Sequence, residues 1–137
     1  MQVVGQTIQH YAGRWTWEIS EMHDAVSLSR KCASLVSFES DEDANRDMAE
    51  HLAASLDETG RRIRTKDQIQ ELIRMAAQAC PDCDGVYFGG VYRHARDSDG
   101  CNWGVSGMAG IDWAACYACV NEAAIEIRRA YSVPEEG

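Results

Sequence analysis

Apolar residues along this chain first alternate and then fall into helical spacing. Trp15, Trp17 and Ile19 share one side of Arg14–Ser20, the period of a short strand. From Ile19 the spacing becomes three, four and seven. Ile19, Met22, Val26, Ala33 and Val36 therefore predict a helix over 19–37, and Leu28, Cys32 and Leu35 add a second stripe that buries its other side. Ser40-Asp41-Glu42-Asp43 reads as the next helix start, with acids where the helix dipole favours them. Ala44, Met48, Leu52 and Leu56 give that helix, over 41–59, an inner face, and Gly60 stops it. Thr65-Lys66-Asp67-Gln68 is a second capping box. It opens the clearest amphipathic stretch, Ile69, Leu72, Ile73, Ala76 and Cys80, which Pro81 and Gly85 close.

Beyond Gly85 the chain turns to glycine and β-formers. Val86–Phe88 and Val91–Arg93 read as one strand interrupted by Gly89-Gly90, Asp97–Gly100 as a turn, and Cys101–Trp103 as the returning strand. Asp112 is expected to cap a long helix whose inner face is Trp113, Cys116, Tyr117, Val120, Ala124, Ile127 and Tyr131. The expected fold is one α+β domain over 1–137, predominantly helical. It has three N-terminal helices, a short β-hairpin and a long C-terminal helix, split into a helical part (1–79) and a cysteine-rich part (80–131). Alanine outnumbers leucine 18 to 5, which fits helices in close approach.

Six cysteines carry the most specific chemistry. Cys80 and Cys83 flank Pro81-Asp82 in a tight turn, and Cys116 and Cys119 sit three apart on one helix face. Four thiolates in a tetrahedron suit a closed structural zinc site, with Cys101 and His94 as substitute ligands. Ordinary core cysteines, or a redox or disulfide role, are the competing readings; Cys32 is expected in the core. The order of a Cys-Pro-x-Cys knuckle, a hairpin and a helix bearing the second pair resembles the treble-clef zinc fold over 80–131. That resemblance implies structural zinc held by Cys80, Cys83, Cys116 and Cys119, and no particular activity.

Charge then narrows the partners. The net charge is −9, divided as −7 over residues 1–60, +3 over 61–75 and −5 over 76–137. Polyanion binding depends on Lys and Arg displacing counterions, so nucleic acid and anionic membranes are disfavoured. The basic run Arg61-Arg62-Ile63-Arg64-Thr65-Lys66 is expected to dock on the protein itself. Met1–Gln6 has no basic segment leading into an apolar run, and no stretch is long enough to span a membrane, so a cytoplasmic protein is expected, in host cytoplasm if phage-encoded.

The function expected is non-catalytic. Glu39, Asp41, Glu42, Asp43, Asp47 and Glu50 form an acidic face, opposed by Arg46, that would dock on a basic protein partner such as a nucleic-acid-handling complex. In size, charge and lack of a catalytic motif the chain is similar in type to small acidic phage proteins that inhibit restriction or CRISPR machinery. A helical hairpin of 19–37 and 41–59 beside four cysteines also resembles a group of small RNA-polymerase regulators. The alternative is a nucleic-acid-binding zinc-finger-type regulator using Arg61, Arg62, Arg64 and Lys66, with Arg93, Arg96, Arg128 and Arg129 in support and Tyr92 and Trp103 stacking on bases. A thiol-dependent enzyme built from Cys101, His94 and Asp97 or Asp99 ranks last.

Overall fold

A computed structural model describes residues 2–22, 28–110 and 113–135. The chain forms two compact units, Met1–Ala53 and Ala54–Gly137.

In the first unit, strands β1 (Gln2–Gln9), β2 (Trp15–Met22) and β3 (Leu28–Ala33) make an antiparallel meander, and helix α1 (Asp41–Ala53) packs on β1 and β2. The alternation at Trp15, Trp17 and Ile19 does mark a strand. The helix expected over 19–37 does not form: β2 continues to Met22, and β3 pairs with it across a bulge between Ile19 and Ser20. Aromatic and β-branched residues at 15–19 favour a pleat, and once β1 pairs with β2 the period of two prevails over the looser helical spacing. Val26 lies outside the described residues. Trp17, Ile19, Val36, Phe38 and Ala44 are buried as the core of this unit. A Cβ on Gly5 would sit 2.9 Å from the Met48 sulfur, so glycine lets β1 approach α1 closely. Helix α1 begins where its pattern places it, with the Asp43 N–H donating to Ser40 Oγ at 3.1 Å, but it stops at Ala53. Leu52 and Leu56 are exposed and form no inner face.

The second unit holds helices α2 (Lys66–Gln78) and α3 (Trp113–Ala130), packed together and joined through a 3-10 turn at Pro81–Cys83. Thr65 and Gln68 close both bonds of the capping box at 3.1 Å, and Ile69, Leu72, Ile73 and Ala76 face inward as their spacing requires. Three short strand pairings accompany the helices. β4 (Arg62–Ile63) runs parallel to β9 (Tyr131–Ser132), β5 (Tyr87–Phe88) pairs with β8 (Met108–Ala109), and β6 (Val91–Arg93) pairs with β7 (Trp103–Val105). The single interrupted strand expected over 86–93 is thus two strands with different partners, exchanged at Gly89-Gly90, where Gly90 takes φ +107°. Cys116, Val120, Ala124 and Ile127 line the inner side of α3, whereas Trp113 and Tyr117 stand half in water. The expected Asp112 cap lies outside the described residues. A predominantly helical fold with three N-terminal helices is therefore corrected. Among the described residues three α-helices share the chain with nine strands, and the first half opens with a sheet.

Candidate functional site

The two Cys-x-x-Cys pairs do meet, but as covalent pairs. Cys80 is bonded to Cys119 and Cys83 to Cys116, with Cα separations of 6.1 and 4.6 Å. The 3-10 turn presents Cys80 and Cys83 side by side, and Cys116 and Cys119 face them from adjacent turns of α3, so each sulfur finds one partner across the interface. A sulfur in a disulfide has no thiolate to give a metal. Among the described residues no group of three or more His, Cys, Asp or Glu could hold an ion. Structural zinc, and with it the treble-clef reading, is therefore replaced by a pair of crosswise disulfides. The substitute ligands are engaged elsewhere: the Cys101 thiol donates to the Trp103 carbonyl at 3.3 Å, and His94 Nδ1 donates to the Ala95 carbonyl at 2.6 Å. Cys32 is half-buried, its sulfur 3.8 Å from His51 Nε2.

A polar cluster that the sequence did not announce gathers on Asp57, whose side chain is only 3% exposed. Its Oδ1 accepts from the Thr59 hydroxyl (2.6 Å) and from the N–H groups of Thr59 (2.9 Å) and Arg61 (3.0 Å). Its Oδ2 accepts from the Ser132 hydroxyl at 2.5 Å and from Arg96 at 3.1 Å. Burial alone would raise its pKa. The hydrogen bonds from Ser132, Thr59 and Arg61 outweigh that and hold the carboxyl well below the usual carboxylate range. Arg96 also reaches Glu58 and Glu135, both at 3.2 Å, and the Gly100 carbonyl at 2.8 Å. Burial opposes its charge, yet the three carboxylates raise its pKa further. This cluster ties the 57–60 turn, the 97–100 turn and the C-terminal strand together, and every polar atom in it has a structural task.

Two members of the basic run, Arg61 and Arg64, are likewise engaged inside the unit. Arg61 donates to the carbonyls of Arg128 and Asp99, both at 2.8 Å, and Arg64 lies buried with its guanidinium 4.9 Å from the centre of the Tyr131 ring. Arg61 thus docks on backbone carbonyls and Arg64 on an aromatic ring. Cys101, His94, Asp97 and Asp99 line one cavity of about 480 Å³, but no Cys101–His94 hydrogen bond forms. Asp97 accepts from the Cys101 and Asp99 N–H groups at 3.1 and 2.9 Å; the Cys101 bond, helped by that from Asp99, lowers its pKa against a smaller effect of burial. The three side chains of the proposed thiol site are aimed at backbone, not at one another.

The acidic face divides in two. Glu39, Asp41 and Glu42 are exposed at the start of α1, Asp43 pairs with Arg46 at 2.6 Å, and Asp41 bonds Thr7 and Asn45. Glu50 is half-buried. Asp47 does not belong to the face: it is 6% exposed and accepts the Trp17 indole N–H at 2.7 Å. Its neighbour His51 packs against the same indole at a tilt of 49°, with ring centres 5.0 Å apart.

No protein family matches the chain, and no curated protein or solved structure is significantly similar to it. Neither the zinc-module resemblance nor that to phage inhibitors gains support from a relative. No described helix is long and apolar enough to cross a membrane.

Proposed function

We propose that this is a recognition protein without catalytic activity, which presents the acidic start of α1 to a basic protein partner. The observation that supports the reading is the exposure of Glu39, Asp41 and Glu42 within four residues of one another, in a chain of net charge −9. The helix dipole tolerates acids there, and concentrated negative charge steers a basic partner and makes association salt-sensitive. A groove built for phosphates, as on a nucleic-acid-handling protein, has the matching charge. The two disulfides suit an oxidising compartment better than the reducing cytosol expected from the sequence.

Affinity capture at near-physiological salt tests this, comparing the native chain with a Glu39→Gln/Asp41→Asn/Glu42→Gln variant. A basic protein retained by the first and lost by the second supports the reading. Equal retention by both overturns it.

A further inference from the structure

The second unit has two neighbouring cavities that neither the disulfides nor the Asp57 cluster uses, and Arg128 lines both. The first, about 340 Å³, is walled by Ile73, Phe88, Val105 and Val120, with Trp113 and Tyr117 beside them. Its polar lining is Ser106, Asn121 and Arg128. An apolar hollow of this size with a few polar groups is the usual form of a small-ligand pocket. Trp113 and Tyr117, four residues apart on one face of α3, are 51% and 52% exposed. Two large rings left half in water at an apolar hollow are surface that an occupant would cover.

The second cavity is polar. Arg61, Arg128, Arg129 and His94 line it together with Asp97 and Asp99, so its formal charge is positive on a strongly acidic chain. Most of these groups are engaged: Arg61 by two carbonyls, Arg129 by Glu126 at 3.2 Å, and Asp97 by two backbone N–H groups. Arg128 differs. Its guanidinium lies over Trp103, 5.7 Å from the ring centre, and its side chain makes no hydrogen bond or ion pair among the described residues. The ring beneath it limits the guanidinium's freedom, which reduces the ordering cost of binding an anion.

We infer that this unit binds a small amphipathic anion, with an aromatic or acyl body in the apolar cavity and a carboxylate or phosphate head on Arg128. The guanidinium fork matches either head through paired, charge-assisted hydrogen bonds. The apolar cavity gives the body its place, and the half-exposed rings of Trp113 and Tyr117 close over it. This site is independent of the acidic edge of α1, so the two can fail separately.

Isothermal titration calorimetry on the full, oxidised chain tests it, with 2-naphthoate as probe, 2-naphthylmethanol as its neutral counterpart and inorganic phosphate as a head without a body. The expected result is saturable one-to-one binding of naphthoate, with the alcohol and phosphate each weaker by about tenfold or more. Trp113→Ala should weaken naphthoate several-fold, and Arg128→Gln should bring the acid down to the alcohol. Absence of saturable naphthoate binding overturns the inference. So does equal affinity for acid and alcohol, or phosphate binding as tightly as naphthoate. Should Arg128→Gln fail to fold, the acid-to-alcohol ratio on the native chain and the exposed Trp113→Ala variant still decide.

Discussion

Asn102 pairs its side-chain amide with both backbone polar groups of Val133: Nδ2 donates to the Val133 carbonyl at 2.8 Å, and Oδ1 accepts the Val133 N–H at 3.0 Å. One buried side chain thereby acts as a strand neighbour for the C-terminal segment, whose other side is held by β4. Trp103 Nε1 adds a bond to the Tyr131 carbonyl at 2.9 Å. Asn102→Ala leaves a donor and an acceptor buried and unmet. The expected loss is about 2–4 kcal/mol, read by urea denaturation, whereas a change below 0.5 kcal/mol, on the order of a neutral surface substitution, would show that the pairing is dispensable.

The disulfides are nested, with partners 39 and 33 residues apart. Closing the outer loop already brings Cys83 near Cys116 in the unfolded chain, so the inner bond removes less entropy than it would alone. Replacing Cys80 and Cys119 by Ala should cost about 2–3 kcal/mol, and replacing all four about 6 kcal/mol. Guanidinium melts of the single-pair and four-site variants measure this. A single-pair loss as large as the four-site loss contradicts the nested account.

Asp57 gives stability a defined pH dependence. Its pKa is lowered on folding, so its contribution is fully present above the unfolded value, near 4, and declines as pH falls toward the lower folded value. Stability should drop from about pH 4 downward, and Asp57→Asn should flatten that slope while destabilising the unit at pH 7. Thermal melts across pH 2–7 on both proteins compare the slopes; identical slopes would remove Asp57 as the cause.

Two acids on α1 should respond in opposite ways. Asp47→Ala strands the buried Trp17 indole N–H and should cost about 1–3 kcal/mol. Glu42→Gln, at an exposed position, should leave the melting temperature unchanged yet weaken capture of a basic partner. Paired measurements of melting and capture on each variant separate the structural acid from the recognition acid.

How much of this was legible depends on whether the deciding interactions are local. The Thr65 capping box, the inner face of α2, the Asp97–Gly100 turn and the start of α1 all rest on residues within four of one another, and all appear where the pattern places them. The helical spacing over 19–37 did not make a helix of Ile19–Met22 or Leu28–Ala33, because pairing between β1, β2 and β3 is a contact between segments. Asp47 read as a solvated helix acid, since its indole partner lies thirty residues earlier. Trp113 and Tyr117 shared a stripe with buried residues, yet the space beside them is a cavity.

By itself the amino-acid order determined the capped starts of α1 and α2, the glycine turns, the acidic balance and the spacing within each Cys-x-x-Cys pair, because each follows from neighbouring residues or from summed charge. Only the tertiary structure decided that those cysteines join crosswise as disulfides, that Asp47 is a core residue, and that Arg128 stands between an apolar hollow and a basic one. The same spacing of side chains serves a metal or a disulfide, a solvent face or a buried bond, and the choice is made by what the rest of the chain packs against it.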